Sequence, residues 1–236
     1  MKKSVDLPVR VVCATKFPSS EFLSSTQTGR SLQSFSSTAP VQIEIADNNS
    51  RGLPSVYNQA IDAAKSDPAI LVFIHDDILI TDFFWTERVK SGLENFDIVG
   101  LAGSRIRRPF QPTWMHEFFI PPAQFVKSDQ LYWSGAVAHG EELFAPISNF
   151  GPTLVECKIM DGLFLAAKST TLVSAGVQFD DNFKFHFYDM DFCRSAEKEN
   201  LKMGTIPLSV VHRSGGEFNT KSWKEAYQNY IEKWGD

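Results

Sequence analysis

The chain has no long apolar run and few cysteines, and both features exclude classes of protein. Its longest uninterrupted apolar run, residues 69–74, spans six residues and is too short to cross a bilayer. Residues 1–6 contain no apolar segment of the kind that a secretory signal needs. Three cysteines in 236 residues, without a metal-binding spacing, predict neither a disulfide framework nor a zinc site. We therefore expect a cytoplasmic protein without a transmembrane segment.

An excess of positive charge is also absent. The formal net charge is −5, and no stretch interleaves basic with aromatic residues as nucleic-acid-binding grooves do. We therefore expect no nucleic-acid partner. A hydrophobic content of 43% is enough for a full core at this length, which predicts a single domain over residues 1–236.

Strand-like and helix-like segments alternate over roughly the first hundred residues. Residues 9–14 and 41–45 are typical of strands, and Pro54 suits the first turn of a helix that ends before Asp67. Residues 69–74 are apolar throughout, as expected for a strand buried on both faces of a sheet. This order predicts an α/β fold with a Rossmann-like, mostly parallel sheet flanked by helices.

Further elements are predicted along the rest of the chain. We expect a loop with one short helix in residues 16–38, a helix capped by Thr81, and strands at residues 97–102 and 159–167. A short helix should end at Gly176, and an amphipathic helix should occupy residues 220–234 with Thr220 as its cap.

Residues 103–156 are rich in proline, glycine and aromatic side chains. Such a stretch within a compact domain predicts a loop-rich insertion on the substrate side of the fold. Trp114 and Trp133 lie in it, and their faces suit the C–H surfaces of sugars as well as they suit ordinary packing.

Acidic side chains follow two of the predicted strands, at the point where each strand ends. His75, Asp76 and Asp77 follow the strand at residues 69–74, and Asp47 follows the strand before it. Because ligands of open parallel sheets bind at the carboxyl ends of strands, we expect these side chains in one crevice. Carboxylates there suit Mg²⁺ or Mn²⁺, and His212, after a strand-like segment, favours Mn²⁺.

Five short motifs occur in a defined order. They are D-N-N-S at residues 47–50, H-D-D at 75–77, D-G at 161–162, Y-D-M-D at 188–191 and H-R-S-G-G at 212–216. This ordered set resembles the GT-A glycosyltransferases, and most closely the bacterial family-2-like group, over about residues 9–216, with only the terminal helix outside. The resemblance implies an inverting, metal-dependent enzyme that moves a sugar from a nucleotide-diphosphate sugar to a saccharide or other hydroxyl acceptor.

The resemblance also implies roles for single residues. Asp77 matches the last acid of the D-x-D motif and would bind the metal together with His212. Asp189 matches the aspartate of the E-D motif and would be the general base. Thr15 and Asp47 match positions that hold the nucleotide. Asn58, His75 and Asp76 are the other residues expected on the donor side, where the nucleotide-diphosphate sugar binds.

Two departures from the family pattern leave alternatives open. His75 replaces the first acid of D-x-D, and Tyr188 replaces the glutamate before the base. Asp161 could bind an acceptor hydroxyl or cap a turn. Asp191 could act as a second acceptor-side carboxylate or pair with Arg194 three residues later.

Other functions fit the sequence less well. A nucleotidyltransferase would need a glycine-rich loop, which residues 13–17 do not provide, and an aspartyl phosphatase would need its acidic motif near the start. The alternative that stays open is a catalytically inactive protein of the same fold that binds nucleotide sugars or acts as a scaffold, because His75 departs from the motif.

Overall fold

The computed structural model describes residues 7–119, 124–214 and 218–235. The predictions made for residues 1–6 and for the glycine pair 215–216 lie outside these ranges. The strands are β1 (Val9–Ala14), β2 (Gln42–Ala46), β3 (Ile70–Ile74), β4 (Ile78–Ile80), β5 (Ile98–Gly100), β6 (Ala102–Ser104), β7 (His116–Phe119), β8 (Gln124–Lys127), β9 (Trp133–His139), β10 (Ile147–Gly151), β11 (Glu156–Cys157), β12 (Ile159–Met160), β13 (Phe164–Lys168), β14 (Met203–Thr205) and β15 (Val210–His212). The helices are α1 (Ser19–Ser25), α2 (Gln27–Ser34), α3 (Leu53–Ala63), α4 (Trp85–Gly92), α5 (Ser169–Ala175), α6 (Tyr188–Lys198) and α7 (Lys221–Trp234), with a 3₁₀ turn at Gln130–Tyr132.

The main sheet has seven strands in the order β11-β14-β5-β13-β3-β1-β2. β1 pairs in parallel with β2 and β3, and β14 pairs in parallel with β5. β13 runs antiparallel to both β3 and β5, so the two parallel groups on either side of it point the same way. The predicted α/β fold with a mostly parallel sheet is confirmed.

A second sheet is built largely from the segment predicted to be loop-rich. It has the order β12-β6-β9-β15-β4, with β10 paired to β9, and β7 and β8 form a separate hairpin. The structure therefore differs from the predicted loop-rich insertion at 103–156. Gly135 in β9 has φ 103°, and a Cβ there would collide with the carbonyl oxygen of Leu101. A glycine needed where two strands approach this closely interrupts the alternation of apolar and polar side chains by which a strand is recognised in a sequence.

Two predicted strands are each divided between the two sheets. The strand expected at 97–102 separates into β5 and β6, and the strand expected at 159–167 separates into β12 and β13. The second break forms a turn at residues 161–163, which places Asp161 and Gly162 next to the carboxyl end of β3. Glycines lie at both breaks, Gly100 and Gly103 at the first and the turn-forming pair Asp161-Gly162 at the second, but both segments were predicted as continuous strands.

Two helical predictions also differ from the structure. Residues 16–38 hold two helices, α1 and α2, where one was expected. Thr81 does not cap α4, because its hydroxyl donates to the carbonyl of Ser209, and the helix begins four residues later. Phe84, the residue directly before α4, is 65% exposed.

The terminal helix α7 forms as its periodicity predicts. The Thr220 hydroxyl accepts the N–H of Trp223, and the helix ends at Gly235, which has φ 74°. Trp223 and Tyr230 are buried in the core. α5 ends at Gly176 with φ 66°, as expected of a left-handed helix end. Across the described ranges, no helix combines the length and apolar composition that crossing a membrane requires.

Candidate active site

A cavity of about 1100 Å³ opens where the carboxyl ends of β1 and β3 meet the second sheet. Its size lies at the upper end of the range of small-molecule sites. Side chains from distant parts of the chain line it: Thr15, Asp76, Asp77, Trp114, Asp161, Asp189 and His212. The predicted crevice at the carboxyl end of the sheet is thus present.

The loop after β3 is held by α2, a helix that the sequence did not clearly indicate. The hydroxyl of Thr28 lies 2.5 Å from the carbonyl oxygen of His75 and 2.9 Å from that of Ile78. The N–H of Thr28 donates to the carbonyl of Asp76 at 3.1 Å. Thr28 is fully buried, so these bonds fix the backbone that carries the acidic cluster.

His75, Asp77 and His212 bring one potential ligand atom each to within 4.8 Å of one another. His212 Nε2 lies 3.4 Å from Asp77 Oδ2. The other carboxylate oxygen, Asp77 Oδ1, is buried and has no hydrogen-bond partner among the described residues. An unpartnered buried carboxylate oxygen is costly unless a cation compensates it, so the cluster fits a divalent metal ion.

Charge within the cluster shifts the pKa values of its members. Burial raises the pKa of Asp77, but the hydrogen bond and charge of His212 outweigh burial and lower it to about 2. Burial lowers the pKa of His212, and the neighbouring Asp77 outweighs burial and raises it. Burial lowers the pKa of His75, which favours its neutral imidazole. A carboxylate beside neutral imidazole is a suitable donor set for a metal.

Thr15 and Asp76 form a second contact at the same edge of the sheet. The hydroxyl of Thr15 donates to Asp76 Oδ2 at 2.6 Å and accepts the N–H of Phe17 at 3.2 Å. All three residues line the cavity. Two of the five predicted donor-side residues therefore contact each other directly.

Gly162 connects the acidic cluster with the predicted base. Its N–H donates to Asp189 Oδ2 at 2.9 Å, and its carbonyl accepts the hydroxyl of Tyr188 at 2.9 Å. A Cβ at this position would lie 2.8 Å from Asp189 Cβ and would collide with the Tyr188 ring. Phe187, at φ 64°, precedes the helix that carries both residues. A strained residue and an enforced glycine at one point are typical of a functional site.

Asp189 has the acidity of a general base. Burial and then the charge of nearby Asp161 raise its pKa to about 7, although the N–H groups of Met190 and Gly162 act in the opposite direction. Its side chain is half-buried and lines the cavity. A carboxylate with a pKa near the working pH is both available as a base and basic enough to take a proton.

Asp161 and Trp114 form a hydrogen-bonded pair that also lines the cavity. Trp114 Nε1 donates to Asp161 Oδ2 at 2.8 Å, and the N–H of Leu163 donates to the other oxygen at 3.0 Å. Asp161 therefore caps a turn and also faces the cavity. Trp133 packs edge-on against Trp114, donates to Ser128, and is not among the lining residues described.

Three predicted site residues have structural contacts instead. Asp191 is fully buried and faces α7, where Lys233 Nζ lies 2.7 Å and Trp234 Nε1 lies 2.9 Å from its Oδ1. Asn58 uses both ends of its amide to pair with the backbone of Phe179. Asp47 accepts the N–H of Ser19 at 3.0 Å. None of the three belongs to the described lining of the cavity.

Sequence reasoning overlooked His139. It lies beside His212 in the register of the neighbouring parallel strands, and the two rings are 5.8 Å apart. Burial and the charge of His212 lower its pKa. The residue sits in the segment predicted to be loop, so only strand pairing reveals its place in the cavity.

Comparison with known proteins relates the chain to sugar-transferring enzymes. A family model described as "glycosyltransferase like family" matches residues 24–234. The match includes α7, whereas the resemblance found in the sequence was expected to leave that helix outside. Among curated proteins, none matches the chain.

Three solved structures are similar to the chain to different extents. A197 from STIV has a TM-score of 0.48 and 11% identity, over 88% of this chain and 86% of that one. GalNAc-T7, solved with UDP, GalNAc and Mn²⁺, has a TM-score of 0.53 and 11% identity, over 99% of this chain and 49% of that one. The catalytic domain of Drosophila β1,4-galactosyltransferase 7 in complex with xylobiose has a TM-score of 0.48 and 10% identity, over 94% of this chain and 79% of that one.

The chain spans about half the length of the GalNAc-T7 chain. The likeness to that structure and the match of the family model agree with the architecture described above, and the expected GT-A fold is confirmed. The protein belongs to the glycosyltransferase-like family.

Proposed function

We propose that the protein transfers a sugar from a nucleotide-diphosphate sugar to a hydroxyl group of a saccharide or other acceptor, with inversion, in a metal-dependent reaction. One observation carries the proposal: Asp189, with a pKa near 7, shares a cavity with a cluster of one carboxylate and two imidazoles. Family membership supports sugar transfer as the reaction.

The donor would bind at the carboxyl ends of β1 and β3. Thr15 and Asp76 are the side chains proposed for the nucleotide, and Lys16 and Arg51 line the same end of the cavity, where cations suit phosphate oxygens. Asp47 and Asn58 are left out of the proposed contacts, because their side chains already bond to backbone groups outside the cavity.

Asp77 and His212 would hold the divalent ion. When bound, such an ion supplies positive charge that stabilises the departing nucleoside diphosphate. The unpartnered oxygen of Asp77 and the low pKa of that carboxyl support this role, because Asp77 is ionised at neutral pH.

Asp189 would accept the proton of the acceptor hydroxyl as that oxygen attacks the anomeric carbon. The N–H groups of Gly162 and Met190 each bond one oxygen of the carboxylate and fix its orientation in the cavity. Asp161 and Trp114, which line the same cavity, are proposed to position the acceptor. Attack on the face opposite to the leaving diphosphate gives inversion.

The alternative, an inactive binding protein, arose because His75 replaces an acid of the motif. His75 belongs to the metal-capable cluster, so this departure keeps a ligand at that place and favours the active enzyme. Binding of donor and metal without donor cleavage would support the alternative. Three further points stay predictions: a cytoplasmic location, membership of the bacterial family-2-like group, and Mn²⁺ as the bound ion.

Donor cleavage provides a direct test. A thermal-shift screen of nucleoside diphosphates with Mn²⁺ would first identify the base, and release of nucleoside diphosphate from the matching sugars would then be measured. Asp189→Asn and Asp77→Asn should abolish most of the release, while Asp62→Asn, an exposed carboxylate on α3, should not change it. Wild-type rates in both cavity variants would refute the assignment, and NMR of the product anomer would decide inversion.

A further inference from the structure

Tyr188 contacts both the predicted metal cluster and the turn that holds the base. Its oxygen lies 2.9 Å from the carbonyl oxygen of Gly162 and 2.8 Å from His75 Nε2. Tyr188 is buried, so no bulk water competes for these bonds. In the sequence this tyrosine stands where the resemblance would place a glutamate.

The hydrogen atoms in this chain of contacts can be assigned from chemistry alone. A carbonyl oxygen only accepts, so the single proton of the Tyr188 hydroxyl points at Gly162. The Tyr188 oxygen can then only accept from His75, and the proton of a neutral His75 ring must sit on Nε2. The lone pair is left on Nδ1, the nitrogen that is free to bind a metal ion.

We propose that His75 is a third metal ligand, through Nδ1, and that Tyr188 is the positioning residue that selects this tautomer and fixes the ring. The inference rests on the metal site of the proposed function. It extends the predicted pair of Asp77 and His212 to two imidazoles and one carboxylate, all within 4.8 Å. Metal-bound histidines usually donate their second ring N–H in this way.

The donor set determines which ions the site selects. Mg²⁺ prefers oxygen ligands and loses water reluctantly, whereas imidazole suits transition metals. A site with two imidazoles should therefore bind Mn²⁺ and Co²⁺ in preference to Mg²⁺, by about tenfold or more. Replacing His75 with aspartate would restore an oxygen ligand and reduce that preference.

Electron paramagnetic resonance of bound Mn²⁺ tests the ligand set without any turnover. Pulsed spectra should show two coupled nitrogen nuclei in the wild-type protein and one in His75→Asp. Mg²⁺ should displace Mn²⁺ more readily from His75→Asp than from the wild type. Tyr188→Phe should lower Mn²⁺ affinity about 10- to 100-fold, the usual effect of losing a partner of a metal-bound histidine.

Two controls separate positioning from loss of structure. Circular dichroism of the metal-free variants reports whether the fold is kept, and His75→Asp tests the ligand even if Tyr188→Phe does not fold. His116→Gln alters another imidazole of the cavity, one that bonds to Thr113, and should change neither the nitrogen count nor the affinity.

The outcomes distinguish this inference from the proposed function. One coupled nitrogen in the wild type, unchanged in His75→Asp, would overturn the inference while leaving a metal-dependent transferase intact. Failure of the wild-type protein to bind Mn²⁺, with or without nucleoside diphosphate, would overturn both.

Discussion

At the scale of single residues, the carboxylates of Asp189 and Asp191 differ in what surrounds them, and only Asp189 is placed to act as the proposed base. Asp189 and Asp191 lie two positions apart on α6 and face different parts of the molecule. Asp189 lines the cavity, and Asp191 contacts Lys233 and Trp234 of α7. Residues two positions apart on a helix point in different directions. The packing of α7 gives the Asp191 carboxylate its structural contacts.

The pH dependence of the reaction should report Asp189. Its pKa is raised to about 7, and it must be deprotonated to act as a base, so kcat/KM should rise from pH 5, reach half its maximum at about pH 7 and level off above about pH 8. Asp161→Asn removes the like charge that contributes to this shift, so the rising limb should move to lower pH. A pH profile of donor turnover measures both, and an unmoved limb in the variant would contradict the assignment.

Asp189→Asn should lower turnover by about 10²–10⁴-fold, the usual contribution of a general base. Asparagine keeps the shape of the side chain and loses only one of its two backbone hydrogen bonds, from Gly162 or from Met190, so the fold should be retained. Thermal unfolding of the variant provides the control. A loss of less than tenfold would show that another group takes the proton.

Gly162→Ala should impair both activity and stability. The added Cβ would lie 2.8 Å from Asp189 Cβ and would collide with the Tyr188 ring, so the base has to move. Overpacking of this kind costs about 1–3 kcal/mol. Denaturant unfolding and donor turnover should both change, whereas Gly176→Ala, at a helix end with open space, should affect stability alone.

At the scale of elements, α7 packs against α6, the helix that carries the proposed base Asp189, and contacts it through Asp191. Lys233 lies 2.7 Å from Asp191 Oδ1 and 2.7 Å from Asp180 Oδ2, and Trp234 also donates to Asp191. The sequence predicted α7 because its apolar residues recur at helical spacing. It did not predict these polar contacts, since Asp191 and Lys233 lie far apart in the chain.

Lys233→Met should destabilise the protein in a pH-dependent way. Burial already raises the pKa of Asp191 despite Lys233, and loss of the lysine would raise it further. A folded-state pKa above the unfolded value means that ionisation destabilises the folded state as pH rises above about 4. The loss should therefore be larger at pH 7 than at pH 4.

Its size should be about 1–3 kcal/mol at pH 7, below that of a fully buried pair, because the Lys233 side chain is 34% exposed. Urea unfolding at the two pH values measures it. Lys224→Met, an exposed position on the same helix, serves as the matched control. Equal losses at both pH values would show that packing, and not charge, accounts for the effect.

At the scale of the whole molecule, the two sheets meet along the cavity, so ligands that bind there should stabilise the complete fold. Mn²⁺ with a matching nucleoside diphosphate should raise the free energy of unfolding by about 2.7 kcal/mol at a ligand concentration 100 times Kd. Asp77→Asn should remove the part that depends on Mn²⁺. Calorimetry with and without EDTA checks this, and an unchanged metal effect in the variant would exclude Asp77 as a ligand.

Local patterns in the sequence determined much of the architecture. The apolar run of β3, the acidic loop after it, the cap of α7 and the glycine end of α5 depend on neighbouring residues, so composition and periodicity reveal them. The order of strands and helices then predicted a cleft at the carboxyl ends of the sheet that holds Asp47 and residues 75–77, and of these only residues 75–77 are among the described lining of the cavity. The family resemblance added Thr15 and Asp189, which also line it.

Only the tertiary structure decided which side chains meet in that cleft. His75 and Tyr188 are 113 residues apart and hydrogen-bond each other directly, and the turn at residues 161–163 places the carbonyl of Gly162 against the same Tyr188 hydroxyl. Contacts between distant segments also direct Asp191 towards α7 and pair the Asn58 amide with the backbone of Phe179. Strand breaks and side-chain partners of this kind arise from contacts between distant segments, for which a sequence carries no local pattern.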